Sequence, residues 1–299
     1  MSNEQLTRLR LDIAYDGTDF AGWARQPALR TVQGELESAL ATVLRDDTVT
    51  LTVAGRTDAG VHATGQVAHL DLTDAHLAQL AKPHGRGAKA MEPAAALKKR
   101  LNGIAGLRSD IHVGAVSLAP DGFDARFSPL FRRYEYRVAD SASARNPLLR
   151  RHTVWYPAAL DVEAMNDAAR ELLGLHDWAA YCRPREGATT IRELQEFAWR
   201  RDETGVLIAG LKADAFCHSM VRALVGASVS VGERRLSGER LRSIRDEAQR
   251  TSEFKVMPAH GLALVEVGYP EDVAARAAQT RARREAAPAA GRDAEEPLS

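Results

Sequence analysis

The feature that most restricts the fold of this chain is an order of segments, strand-helix-strand-strand-helix-strand, met once before residue 120 and again after it. In the first run, LRLDIAY (Leu9 to Tyr15) alternates as a half-buried strand does, and Asp16–Gly17 turns the chain. From Thr31 a helix places Val32, Leu36, Ala39, Leu40, Val43 and Leu44 on one face. Two strands follow between Val49 and Leu72, joined by a Gly-rich loop. Residues Thr73 to Glu92 read as irregular, with Lys82–Lys89 (KPHGRGAK) as a surface excursion. A helix from Pro93 to Asn102 and a strand from Ile111 to Ala119 close the run. The second run takes a strand at Arg132–Asp140, a helix at Asp161–Leu173 capped by Asp161 and stopped at Gly174, and strands at Ile191–Arg201 and Val206–Asp214. A helix at His218–Val231, a short one at Ser237–Ala248 and a strand at Leu262–Val267 complete it. Each run has the ferredoxin-like β-α-β-β-α-β order. The expectation is an α+β chain of two related halves, 1–119 and 120–270, joined along their sheets with a central cleft. The repeat lies in the elements, not in the residues. Residues 271–299 turn to Ala, Arg and Glu with scattered Pro, which predicts a disordered tail, helical at most in its first part, to about Arg284.

The 299 residues, 45% hydrophobic and 27% charged, suffice for a globular core. No secretory leader and no bilayer-length apolar run is visible, so a cytoplasmic protein without membrane attachment is expected. Cys182 and Cys217, two cysteines in so long a chain, are then expected as reduced thiols. Forty basic residues balance forty acidic ones, which argues against a uniformly basic RNA-coating protein. Any nucleic-acid contact has to come from local clustering. The seven arginines from Arg126 to Arg151, opposed nearby only by Glu135 and Asp140, form such a cluster.

The Gly-rich loop of the first run, Gly55 to His62, carries a carboxylate, Asp58, two residues from a guanidinium, Arg56. A neighbouring Arg keeps an Asp ionised, and an ionised Asp on a Gly-flanked loop serves as nucleophile or general base. The plainer alternative is an Asx turn that caps its own loop, with Arg56 as a surface partner. As a nine-residue string, GRTDAGVHA resembles the catalytic loop of the TruA family of tRNA pseudouridine synthases. The resemblance implies that Asp58 is the essential catalytic carboxylate.

Two further segments bear on the same chemistry. FDARFSPLFRRYEYRV interleaves aromatics with arginines, a pattern in which rings stack on extruded bases while Arg126 and Arg133 hold phosphates. The alternative is a strand with core aromatics and solvated arginines. The segment resembles the TruA stretch that bears the active-site tyrosine, which falls on Tyr134. In AFCHSMVRALVG, Phe216, Met220, Leu224 and Val225 form an apolar helix side, and Arg222 within that helix needs a carboxylate partner unless it reaches the surface. The resemblance makes Asp58 that partner. DGTDFAGWARQ near the amino terminus is similar to the RNA-binding side of the same family.

The resemblance runs from about Arg8 to Tyr269 and implies the pseudouridine synthase fold. It implies an isomerase that turns a uridine over in place at positions 38, 39 and 40 of the tRNA anticodon stem-loop, as a homodimer and without a cofactor. Asp58, Arg56 and Arg222 carry the catalysis; Tyr134, His62, Arg126 and Arg133 bind the substrate. Two other readings stay open on residue types alone. One is a structured-RNA binding module or tRNA chaperone without turnover; the other is a hydrolase using Asp58 with water. His62, His69 and Asp71 fit no zinc spacing, so His62 is assigned to orienting the loop or touching RNA and no metal is expected. The loop lacks the Lys-Ser/Thr of a phosphate-binding P-loop.

Overall fold

A computed structural model describes residues 6–83, 89–184 and 189–290. The chain forms two compact units, residues 1–129 with 269–277, and residues 130–268 with 278–299.

In the first unit the elements are β1 (Thr7–Tyr15), α1 (Val32–Leu44), β2 (Thr52–Val53), β3 (His62–Leu72), α2 (Asp74–Ala81), α3 (Pro93–Ala105) and β4 (Ile111–Leu118). β1 lies between β4 and β3, antiparallel to both, and β2 pairs with β3 through Thr52–His69 and Val53–Ala68. Numbered within the unit, the strand order is 4-1-3-2, as the ferredoxin-like arrangement requires. Thr31 starts α1 by accepting the Gly34 amide hydrogen on its side chain. The inward residues Leu11, Ile13, Leu70 and Leu72 are buried with Leu40 and Leu44 of α1, Leu80 of α2, and Leu97 and Leu101 of α3.

The stretch expected to be irregular after Thr73 begins instead as a helix. Thr73 accepts the His76 amide hydrogen, and the His76 ring accepts that of Thr73, a reciprocal cap made with a histidine where glutamate is the usual partner. Of the Lys82–Lys89 excursion, residues 84–88 lie outside the described residues. Residues 120–129 belong to this unit rather than the next. Arg8 donates to the Phe123 carbonyl (2.6 Å), Ala125 N–H to His69 Nδ1 (3.0 Å), and Tyr269 OH to the Ala125 carbonyl (2.9 Å).

The second unit contains β5 (Phe131–Ala139), β6 (Val154–Trp155), α4 (Val162–Glu171), β7 (Gly174–Asp177), β8 (Ile191–Arg201), β9 (Leu207–Ala213), α5 (Met220–Gly232), α6 (Gly238–Glu247) and β10 (Leu262–Gly268). Its strands run β10-β5-β9-β8-β7, and β6 pairs parallel to the end of β5. Leaving out β6 and β7, the order is again 4-1-3-2. Asp161 and Ser237 cap α4 and α6, and Gly205 turns β8 into β9 at φ +83°. α5 is buried on nearly every side. Among the described residues no helix is long and apolar enough to cross a membrane.

One expectation is corrected. Cys182 and Cys217 are joined as a disulfide, with Cα atoms 5.8 Å apart, rather than standing as two thiols. The hydrogen bond from Arg183 N–H to the His218 carbonyl (2.9 Å) draws their two loops together, a pairing invisible across 35 residues of sequence. The region after Glu271 forms α7 (Val273–Ala290). Its first turn is packed into the first unit: Val273 and Ala277 are buried, and Ser128 Oγ donates to the Val273 carbonyl (2.9 Å). Residues 291–299 of the expected tail lie outside the described residues.

A buried carboxylate fastens the end of β5. Both Asp140 oxygens accept from Arg201 at 2.9 Å, and Ser143 Oγ and the Leu160 amide also donate to it. Burial alone would raise the Asp140 carboxyl, but these donors outweigh it and hold it at about 2, against 3.8 for an ordinary Asp. Because the folded carboxyl titrates below the unfolded one, its stabilisation is complete above pH 4 and is lost as pH falls through about 2. Asp140→Asn is expected to cost about 2 kcal/mol at pH 7. Urea melts of wild type and variant should converge between pH 4 and 2; a gap that stays constant to pH 2 would contradict the assignment.

Candidate functional site

In the first unit the loop between β2 and β3 carries Arg56, Asp58 and, at the start of β3, His62. The hydrogen bond from Ala54 N–H to the Val67 carbonyl (2.8 Å) closes its base. A turn from Asp58 to Val61 (Val61 N–H to Asp58 carbonyl, 3.2 Å) passes through Gly60 at φ +77°, a conformation that a side chain would strain. Gly55 has no positive φ, and a side chain there would meet open space. The segment after β1 grips the loop from beneath. Trp23 N–H donates to the Thr57 carbonyl (3.0 Å), and Gly60 N–H to that of Phe20 (3.2 Å). Gly17 lies so close that a Cβ there would stand 2.0 Å from the Val61 carbonyl oxygen. DGTDFAGWARQ therefore folds as the brace of this loop. Asp58 is half-buried and Arg56 is exposed.

His62 is buried, and its Nδ1 accepts the Gly17 amide hydrogen (3.0 Å) and lies 3.1 Å from an Asp16 carboxylate oxygen. It holds the loop to the start of the brace. His69 Nδ1 is likewise engaged by a backbone amide, that of Ala125. Among the described residues no cluster of His, Cys, Asp or Glu has metal-holding geometry. Arg126 is exposed, its guanidinium 5.4 Å from the Phe127 ring.

In the second unit β5 divides the aromatic and basic residues between its faces. Tyr134, Tyr136 and Val138 are buried; Arg133, Glu135 and Arg137 alternate on the other face. Tyr134 meets Phe216 edge-on, ring centroids 5.2 Å apart. Tyr136 OH donates to the Pro258 carbonyl (2.6 Å), and on α5 Arg222 Nε donates to the neighbouring Met257 carbonyl (2.6 Å). Tyr134 and Arg222 thus belong to one side of this unit. Arg133 belongs to the other, where it pairs with Glu196 of β8 (2.5 Å) and Glu266 of β10 (3.1 Å), while Lys212 of β9 shares Glu196 (3.2 Å). Arg137 lies 3.8 Å from Asp202. The arginine cluster is less cationic than its sequence implies, because neighbouring strands bring carboxylates from more than sixty residues away.

Beneath the loop lies a polar group that the motif reading passes over. Tyr15 OH is 2.8 Å from Thr57 Oγ1, and Gln66 Nε2 donates to Tyr15 OH (3.2 Å) and to the Gly55 carbonyl (2.9 Å). The sequence does hold one sign of it: a glutamine in the middle of a strand, directly before Val67 and Ala68.

The chain is similar to known proteins. A family described as tRNA pseudouridine synthase matches residues 13–127 and 168–270. A protein of Leifsonia xyli named tRNA pseudouridine synthase A is 62% identical over 288 residues, 94% of this chain and 99% of its own. Proteins of the same name from Frankia casuarinae and Mycobacterium leprae are 51% and 48% identical, over 93% and 92% of this chain and 96% and 94% of theirs.

Proposed function

The chain belongs to the tRNA pseudouridine synthase family, isomerases that convert uridine to pseudouridine, and from that premise we propose that it acts on uridines 38 to 40 of the tRNA anticodon stem-loop, with Asp58 as the catalytic carboxylate. The reaction breaks the bond from N1 to C1′, turns the base over and joins C5 to C1′. C5 loses its proton to water and N1 gains one, so no electrons or groups enter or leave. The target leaves its stack first, at the cost of unstacking it. Asp58 then serves the sugar by one of two routes: it attacks C1′, giving a glycosyl ester as in carboxylate glycosidases, or it removes a sugar proton to give a glycal.

The observation that carries this reading is the loop itself. Asp58 stands at the turn of a loop whose backbone is fixed before and after it, at Thr57 and at Gly60. A half-buried carboxylate so held loses little freedom when it meets the sugar. Arg56 and Arg222 are assigned to keeping the carboxylate ionised, and Tyr134 to lying against the target base. His62 is assigned to orienting the loop. Arg126 and Arg133 are assigned to the substrate, Arg133 from between two glutamates. A second copy of the chain completes the grip on one tRNA.

The test is the position modified. Unmodified tRNA transcripts with single uridines at 38, 39, 40 or elsewhere are incubated with the protein, and pseudouridine is mapped by carbodiimide modification and primer extension. Stops confined to 38–40 are expected. Stops at other uridines with none at 38–40 would contradict the assigned substrate.

A further inference from the structure

We propose that Tyr15 and Gln66 are positioning residues for Asp58, acting through a buried hydrogen-bond chain that fixes the loop on both sides of Arg56. The proposal rests on the assignment of Asp58 above. Gln66 is 0% exposed, Tyr15 5% and Thr57 7%, so none of the three is placed to touch RNA.

The donors and acceptors match one for one. The Gln66 carboxamide has two N–H hydrogens and two acceptors, the Gly55 carbonyl and Tyr15 OH, while its oxygen accepts the Val67 amide hydrogen (3.2 Å). Tyr15 OH accepts from Gln66 and shares with Thr57 Oγ1 a hydrogen bond in which either hydroxyl can donate. Burial pushes the Tyr15 hydroxyl up to about 12, so it stays neutral. Gln66 therefore sets the Gly55 carbonyl directly and Thr57 through Tyr15, and Asp58 is the next residue.

An irregularity in the sheet aims these groups. Ile13 pairs with Gln66, but Tyr15 pairs with Ala63, so β3 carries one residue more than β1 between the two pairs. That bulge turns both Ala63 and Gln66 inward, although residues three apart in a regular strand face opposite ways. A buried polar group is costly, and an apolar residue at 66 would fill the same space without that cost. Its use is geometric.

The test compares single-turnover isomerisation at saturating tRNA with tRNA affinity. Tyr15→Phe, Gln66→Leu and Thr57→Val each cut the chain with little change of volume. Each is expected to slow isomerisation by about ten- to a hundredfold, as an ångström-scale misplacement does, with the tRNA Kd unchanged. Thr57→Ser keeps the hydroxyl and is expected to retain nearly the wild-type rate. Wild-type rates in Tyr15→Phe and Thr57→Val, with only a lowered melting temperature, would reduce the chain to a structural role. Loss of rate in Thr57→Ser equal to that in Thr57→Val would also overturn the proposal. Asp58→Ala is run alongside. If it is inactive while Tyr15→Phe is fully active, only the positioning claim falls; if Asp58→Ala is itself active, the site assignment falls and takes the positioning claim with it.

Discussion

Asp58→Ala is expected to lose at least about a thousandfold in the isomerisation rate, since both routes open to the reaction begin with the carboxylate. Asp58→Asn should lose as much, because a carboxamide of the same shape is neither a nucleophile toward C1′ nor a base toward a sugar proton. The backbone of the loop is held at Thr57 and Gly60 by their own partners, so neither variant should unfold it. Affinity for tRNA comes largely from phosphate contacts spread over the surface. Filter binding at one fixed salt concentration should therefore give both variants a Kd close to that of wild type. Tritium release from C5-labelled tRNA is the matching assay of turnover. Wild-type release by Asp58→Asn would remove the carboxylate from the mechanism.

The largest effect on stability is expected at Gly226. Inside a helix, Gly→Ala ordinarily stabilises by about 1 kcal/mol. Here the added Cβ would stand 1.9 Å from the Lys255 carbonyl oxygen and 3.5 Å from Met257 Cγ, and backbone cannot swing aside as a flexible side chain does. The overlap outweighs the propensity gain, for a net loss of about 3 kcal/mol and a fall in melting temperature of roughly 5–10 °C. The damage should also reach Arg222. The segment displaced includes Met257, whose carbonyl holds Arg222 and whose amide hydrogen is accepted by the Arg222 carbonyl (3.1 Å). Gly210→Ala in β9 is the control: nothing lies within 4 Å of a Cβ there, and a change within about 0.5 kcal/mol is expected. Equal melting temperatures for Gly226→Ala and wild type would refute the argument.

Element order was legible because alternation and capping are local signals. LRLDIAY alternates over its whole length, and Thr31, Asp161 and Ser237 all cap the helices they precede. α2 was not, because its cap uses His76 as the reciprocal partner and its helix is short. The packing of the first turn of α7 was not legible for a different reason: it depends on residues 120–129, which read as the start of the second half. In the candidate site, the loop bearing Asp58 stood out as a motif, whereas what supports it did not. Tyr15 reaches Thr57 of the loop across 42 residues and meets Gln66 across 51, and no periodicity reports such a distance. The same holds for Arg133: as one of a run of arginines it reads as cationic surface, and only the sheet brings Glu196 and Glu266 beside it.

The measurement that most directly tests the central claim follows tritium released to water from a tRNA transcript labelled at C5 of its uridines, with the wild-type protein and with gel and chromatographic checks for chain cleavage and free uracil. Release equal to the anticodon stem-loop uridines modified, from an intact RNA and without free uracil, is the predicted result. No release from a tRNA shown to be bound would contradict isomerisation and leave a binding protein; free uracil in place of release would make the protein a hydrolase.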